Sequence, residues 1–113
     1  MKYVLLIVDD PKVTQVPESE MRKIVATFMQ IRDSLQSQGK LLHGARLRPP
    51  VEAKTVRLAR GPKPVMVDGP FTESKEAVGG YFMIDVASQA EALEWAKKFP
   101  PYFSIEVRAV WEQ

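Results

Sequence analysis

The side chain best suited to acid–base chemistry is Asp68, in the segment Asp68-Gly69-Pro70-Phe71. It follows a short apolar run, and a carboxylate in a partly dry cleft has a raised pKa and can act as a general base. A structural role is the alternative, because Asp before Gly-Pro also forms turns by accepting backbone N–H bonds. Both interpretations of Asp68 stay open at the level of sequence.

The second candidate for moving a proton is His43, the only histidine of the chain. Imidazole titrates near neutral pH, although a single histidine on a strand is more often packed or solvated. One histidine and scattered carboxylates give no ligand spacing, so no metal site is predicted. The chain has no cysteine, which removes disulfides, thiolate ligands and a thiol nucleophile. No cofactor is predicted.

Basic side chains are the candidates for binding an anion. Arg46 and Arg48 alternate along the chain, so they share a face if the strand continues, and they are suited to bidentate contacts with a carboxylate or phosphate. Lys75 is a candidate for neutralising a substrate anion, with local charge pairs at the surface as the favoured structural alternative, and Phe71 is a candidate for contacting the ligand. The expected ligand is a small anionic or aromatic molecule. Nucleic acid is not an expected partner, since no aromatic residues interleave with the basic ones.

Hydrophobic patterns predict two helices and six strands to position these residues. The first helix begins near Pro17 and ends at Gly39, with one apolar stripe. The second opens with a capping box, Ser88 and Glu91, and ends at Pro100. Its packing positions are Ala92, Leu93, Trp95 and Ala96. The strands are Tyr3 to Val8, Lys40 to Leu47, Thr55 to Leu58, Val65 to Val67, Gly80 to Val86 and Phe103 to Trp111.

This order is a split β-α-β pattern, and it predicts an α+β domain of the ferredoxin-like type with an inserted short hairpin. Two helices would cover one face of an antiparallel sheet and leave the other face uncovered. The first and fifth strands are apolar on that other face too. A second copy of the chain is the simplest cover, so we expect a homodimer formed through the sheet.

The segment Val67 to Glu76, followed by Gly79-Gly80-Tyr81-Phe82, resembles the signature of the YCII-related (DGPF-domain) family. The stretches Gly39 to Leu42, Ala92 to Ala96 and Ile105 to Arg108 are similar to the family as well. The resemblance implies a ferredoxin-like domain that dimerises through its sheet. It also implies either a lyase-like or isomerase-like proton-transfer enzyme or a regulatory module that docks a protein such as a sigma factor. In the enzyme-like relatives a histidine lies in the first helix, where this chain has none, so His43 is the only histidine available for that role.

The length and the hydropathy pattern of the chain limit these expectations. The length of 113 residues fits one domain, 1–113. No apolar run approaches the roughly 20 residues that cross a bilayer, and Asp9 and Asp10 stand where an export signal would be cleaved. We therefore expect a cytoplasmic protein without a membrane partner. Its predicted function is small-molecule binding or proton transfer in a cleft built around the Asp68 turn, and the alternative is the protein-docking module.

Overall fold

The computed structural model describes residues 1–10, 15–58, 63–69 and 77–112. The elements follow in chain order as β1 (Lys2–Asp9), α1 (Glu18–Ser37), β2 (Leu41–Arg46), a 3₁₀ turn (Pro50–Glu52), β3 (Lys54–Arg57), β4 (Val65–Asp68), β5 (Ala77–Asp85), α2 (Gln89–Ala96) and β6 (Phe103–Ala109). The predicted α+β class is confirmed. Neither helix in these ranges combines the length and apolarity needed to cross a membrane.

Four strands form one antiparallel sheet in the order β2-β5-β1-β6. The unit β1-α1-β2 and the unit β5-α2-β6 each leave a gap of one strand, and each gap is filled by a strand of the other unit. This interleaving is compatible with the ferredoxin-like arrangement that the element order predicts.

Both helices pack on the same face of this sheet. The odd residues of β1 and the even residues of β5 point to that face and are buried with side chains from α1 and α2. Leu5, Leu35 and Ile84 are fully buried at its centre. The core cluster comprises Tyr3, Leu5, Ile31, Leu35, Phe82, Ile84, Val86, Ala92 and Trp95.

Helix α1 ends in a Schellman motif at Gly39, which adopts φ +69°. The Lys40 amide donates to the Leu35 carbonyl at 2.9 Å and the Gly39 amide to the Gln36 carbonyl at 3.0 Å, the pair of bonds that defines this motif. The apolar side chains of α1 have different surroundings. Ile24, Ile31 and Leu35 are buried, whereas Val25 and Met29 are 40% and 59% exposed.

Helix α2 begins at the predicted cap, where the Ser88 hydroxyl accepts from the Glu91 amide at 3.2 Å. The Glu91 carboxylate in turn accepts from the Ala87 amide, the Trp95 indole and the Lys40 ammonium, the last at 2.7 Å. The hydrogen bond from Lys40 is the largest cause of a lowered pKa at Glu91. One predicted packing position of α2 is not observed: Leu93 is 43% exposed, since Ala92 and Trp95 already occupy the buried side.

Strands β3 and β4 form a separate two-stranded antiparallel sheet, which we call the arm (Lys54–Arg57 with Val65–Asp68). Among the described elements, β3 and β4 pack closely only against each other. Val56 opposes Met66, and both are more than half exposed. Residues 59–62 lie outside the described residues, so the inserted hairpin as one continuous unit stays a prediction.

The face of the main sheet away from the helices also carries apolar side chains. We call it the open face, defined by Val4, Leu6, Val8, Tyr81 and Met83, which are all half-buried in the single chain. Leu6 opposes Tyr81 and Val4 opposes Met83, so these side chains form adjacent cross-strand pairs.

Candidate functional site

A cleft of about 660 Å³ lies between the first half of α1 and the neighbouring ends of β1, β2 and β5. Its walls are apolar and include Met21, Val25 and Phe28 of α1. The exposed part of the α1 stripe therefore faces this cleft. An apolar concavity with a few polar groups is the usual form of a small-molecule site.

Asp9 is the only acidic side chain among the described residues that line the cleft. It continues the odd alternation of Tyr3, Leu5 and Ile7, so its carboxylate lies on the helix-covered side at the end of β1. Desolvation by burial raises the pKa of Asp9 above its ordinary value of 3.8, and the charge of Arg46 offsets part of that rise.

Glycines form the floor of the cleft beside Asp9. A Cβ on Gly79 would overlap the Asp9 carboxylate, and a Cβ on Gly44 would come within 2.6 Å of the Phe82 ring. A Cβ on Gly80 would lie 2.8 Å from the Ala45 carbonyl oxygen, below normal contact. Hence none of the three positions accepts a side chain without displacing a neighbour, and Gly79 leaves the space that the Asp9 carboxylate occupies.

A β-bulge lies at the same place. Ile7 pairs with Gly80 and Val8 with Val78, so Gly79 has no partner on β1. Its carbonyl accepts instead from the Leu47 amide at 2.8 Å. Bulges redirect neighbouring side chains and are common beside functional sites. The bulge at Gly79 therefore lies at the floor of the cleft beside Asp9.

Arg46 faces Asp9 from the other side of this floor. It pairs with Gly80 on β5, while Gly44 pairs with the buried Phe82, so Arg46 projects to the helix-covered side. Strand β5 separates β1 from β2, which places their backbones roughly 10 Å apart. No ion pair joins the two described side chains Asp9 and Arg46, although the charge of Arg46 acts on Asp9. An acid and a cation therefore both line the cleft without an ion pair between them.

Two more arginines line the rim of the cleft. Arg48 follows β2 and pairs with Glu52 of the 3₁₀ turn at 2.8 Å, with both side chains exposed. Arg32 lies on α1 and is exposed. Three arginines against one carboxylate give the described part of the cleft a positive field, which attracts anions.

The structure brings Arg46 and Arg48 to this cleft and places the other described candidates elsewhere. Asp68 ends β4 on the arm, where its side chain is 86% exposed and pairs with Lys54 at 2.6 Å. The carbonyl of the next residue, Gly69, accepts from the Thr55 hydroxyl at 2.7 Å. Asp68 thus supports the pairing of β3 with β4, and it does not line the cleft.

His43 lies on the opposite side of the main sheet from the cleft. It pairs with Met83 across β2 and β5, and its Nδ1 is 2.6 Å from the Tyr81 hydroxyl. The two rings stack with centroids 5.6 Å apart. His43 and Asp68 therefore form no dyad with each other or with the arginines.

Lys75 and Phe71 lie outside the described residues, and their roles stay predictions. In the described ranges, no three or more histidine, aspartate and glutamate side chains gather in a way that would hold a metal ion.

Sequence reasoning missed Asp9 because Asp9-Asp10-Pro11 reads as the end of a strand. The signal in the sequence was the alternation of side-chain directions along β1. Tyr3, Leu5 and Ile7 point one way, and β1 extends to Asp9, so the next odd position is an acid on the apolar side. Together with Gly79-Gly80 on a paired strand, that pattern is the feature of the sequence that indicates the cleft.

The fold and cleft define a small α+β protein with a split β-α-β sheet and a cleft between that sheet and its first helix. The chain matches the YCII-related domain family over residues 1–113. It is also similar to the uncharacterized protein R00369 of Rhizobium meliloti (strain 1021), with 34% identity over 113 residues, covering 96% of this chain and 90% of that protein. The chain belongs to the YCII-related family, as the DGPF segment predicts.

Proposed function

We propose that this protein binds a small organic molecule in the cleft between α1 and the sheet, and that Asp9 exchanges a proton with it. One observation carries the proposal: a half-buried carboxylate lies on a side-chain-free floor, in an apolar cleft, opposite an arginine. A lyase or isomerase reaction needs a proton acceptor and a means of stabilising negative charge, and these two groups supply both.

The environment of Asp9 suits a general acid–base. A catalytic carboxylate works best when its pKa is raised toward the working pH, and desolvation raises the pKa of Asp9. Arg46 stays charged at any working pH and favours negative charge on a ligand between the two side chains. Asp9 would then take a proton from a carbon next to the group that Arg46 holds, and return it at another position.

The first experiment is a thermal-shift screen of the purified protein against carboxylates, phosphates, phenols, lactones and neutral aromatic compounds. A ligand at about 100 times its dissociation constant adds roughly 2.7 kcal/mol to the stability, which moves Tm by several degrees in a domain of this size. Each hit is then measured on Val25→Arg, which places a long charged side chain on the cleft wall, and on Asp68→Asn. We expect hits to be lost in Val25→Arg and kept in Asp68→Asn.

Proton transfer is tested separately, by following exchange of ligand C–H for deuterium in D2O by NMR. We expect exchange with the native protein and none with Asp9→Asn. The reverse result in the screen, with hits kept in Val25→Arg and lost in Asp68→Asn, would move the site to the DGPF turn as the sequence motif predicts.

We further propose that the protein is a homodimer in which the open face packs on the same face of a second copy. The support is the row of half-buried apolar side chains on that face. Four strands about 4.8 Å apart and some six residues long present on the order of 400 Å². A standard interface buries about 800 Å² on each partner, so the sheet faces alone are too small.

The arm can supply the interface area that the sheet faces lack. Val56, Met66 and Leu58 are 52%, 71% and 83% exposed, and a two-stranded ribbon is marginal in water without a cover. The Cα radius of gyration is 16.1 Å, against about 13 Å for a compact domain of this length. An arm that stands away from its own domain is suited to packing on the second copy.

The same arm favours the second candidate function, a non-catalytic module that docks a transcription protein such as a sigma factor. Lys54, Arg57 and Lys63 lie beside its exposed apolar residues, the mixed surface that such docking needs. Sedimentation of the purified chain separates the two. A dimer formed by the chain alone supports the dimer proposal, whereas a monomer whose mass changes only on adding a purified sigma factor supports docking.

A further inference from the structure

We propose that the cleft selects a monocarboxylate with an apolar body, whose carboxylate is held by Arg46 beside Asp9 and shares one proton with Asp9. This inference rests on the proposed function and adds the chemical class of the ligand to it.

The charges around the cleft favour an anion. Asp9 on β1 faces Arg46 on β2, Arg48 in the loop after β2 and Arg32 on α1, while β5 contributes the glycines and β6 contributes Phe103. These four are the titratable or charged side chains among the described lining residues. Arg48 already pairs with Glu52, so Arg46 is the cation best placed to hold the ligand beside Asp9.

The guanidinium of Arg46 favours a planar group. A flat carboxylate can accept two parallel hydrogen bonds from this guanidinium, whereas the space above Gly79 and Gly80 is already taken by the Asp9 carboxylate and the Ala45 carbonyl. A phosphate is tetrahedral and carries nearly two negative charges at neutral pH, which would add repulsion with Asp9. A single carboxylate next to Asp9 meets the repulsion that two close carboxylates relieve by sharing a proton.

The walls favour an apolar body on this carboxylate. Met21, Val25 and Met29 present apolar surface to the cleft from one side of α1, and Phe82 and Phe103 lie on the sheet side. Met29 is 59% exposed, so this surface gains most from being covered. A phenyl or branched alkyl group carried by the carboxylate would occupy this position.

The experiment is isothermal titration calorimetry with 3-phenylpropionate and its neutral isostere 3-phenylpropanamide, in two buffers of different ionisation enthalpy. We expect the carboxylate to bind at least tenfold more tightly than the amide. We also expect uptake of up to one proton per bound carboxylate, because two close carboxylates share one proton. While this proton resides on the ligand, Asp9 is free to take a proton from the carbon next to the ligand's carboxyl group. Asp9→Asn should bind the carboxylate without proton uptake, and Arg46→Met should lose at least tenfold in affinity.

Failure of this inference is distinct from failure of the proposed function. Equal affinity for acid and amide, or carboxylate binding without proton uptake by the native protein, would overturn the monocarboxylate with its shared proton while leaving a small-molecule cleft. The monocarboxylate inference is also overturned, and the small-molecule cleft kept, if neither compound binds but a compound of another class gives a hit that Val25→Arg abolishes. If no compound of any class binds, both are overturned. Asp68→Asn is the matched carboxylate control, and we expect it to bind 3-phenylpropionate like the native protein.

Discussion

At the scale of single residues, Asp9 is an acid placed where the strand pattern calls for an apolar side chain. Tyr3, Leu5 and Ile7 precede it on the same side of β1, and all three are buried. Partial burial of a carboxylate costs free energy in its charged form. Gly79 provides the room that this carboxylate needs, and Arg46 provides a compensating charge at a distance. A protein that keeps such an arrangement accepts a cost in stability that a function can explain.

The substitution Asp9→Asn tests this cost in stability through its effect on how Tm depends on pH. The pKa of Asp9 is raised in the folded state, so the folded protein binds the proton more tightly than the unfolded chain. The free energy of unfolding therefore falls as pH rises from the ordinary carboxylate pKa through the folded one. Asn has no such charge, so the Tm of Asp9→Asn minus that of the native protein should increase between pH 3 and pH 7. A Tm difference that is constant or decreases with pH would contradict a raised pKa.

At the residue scale, the sequence indicates some of the residues that line the cleft and not others. Arg46 and Arg48 were selected because they alternate, and both line the cleft. Asp68 was selected from its motif, but spacing along the chain cannot show that β4 pairs with β3 away from the main sheet. The proximity of Asp9, Gly79 and Arg46 depends on three strands far apart in sequence, so only the pairing register reveals it.

At the scale of elements, α1 has two tasks along one apolar stripe. Ile31 and Leu35 anchor the helix in the core, whereas Val25 and Met29 face the cleft. The stripe itself predicted the helix correctly. It could not predict which of its apolar residues would be buried, because this depends on where β2 ends and the cleft begins.

Leu35→Ala and Met29→Ala separate the two tasks. Leu35 is fully buried, so its truncation should cost about 2–5 kcal/mol of unfolding free energy. Met29 is mostly exposed, and its truncation should cost about 0.5 kcal/mol or less while weakening ligand binding. Urea denaturation measures both stabilities. Equal losses in the two variants would show that α1 is buried evenly along its length.

Glu91 joins α2 to the start of β2 through Lys40. Its pKa is lowered in the folded state, chiefly by the hydrogen bond from Lys40, so the stabilisation is present above the ordinary carboxylate pKa and lost as pH falls through the folded one. Glu91→Gln should therefore lower Tm at pH 7 and make less difference below pH 4. Thermal melts across this range measure the effect, and an equal loss of Tm at all pH values would exclude the charge as its cause.

At the scale of the whole molecule, the open face and the arm present apolar side chains that the described residues of the chain leave partly or largely exposed. The open face was predicted from the composition of β1 and β5, and its apolar side chains are half-buried in the single chain. The position of the arm away from the main sheet was not predictable, since β3 and β4 are too short to show which sheet they join.

Leu6→Glu tests the dimer directly. It places a charge at the middle of the open face, opposite Tyr81, and should convert the dimer to a monomer in sedimentation velocity experiments. Leu93→Glu is the matched control, since Leu93 is 43% exposed on α2 and lies on the helical side. The proposal fails if Leu6→Glu sediments as a folded dimer, or if the native protein is itself a monomer at micromolar concentration.

The bulge makes the floor of the cleft depend on a single residue of β5, Gly79. Because Val8 already pairs with Val78 and Asp9 with Ala77, a chain lacking the single codon for Gly79 would keep every ladder pair and every inward or outward orientation. It would lose only the shelf beneath Asp9 and the carbonyl that accepts from Leu47. Related chains one residue shorter at this point would thus share the architecture while differing in chemistry, so insertions and deletions in β5 deserve as much weight as substitutions when relatives are sorted by activity.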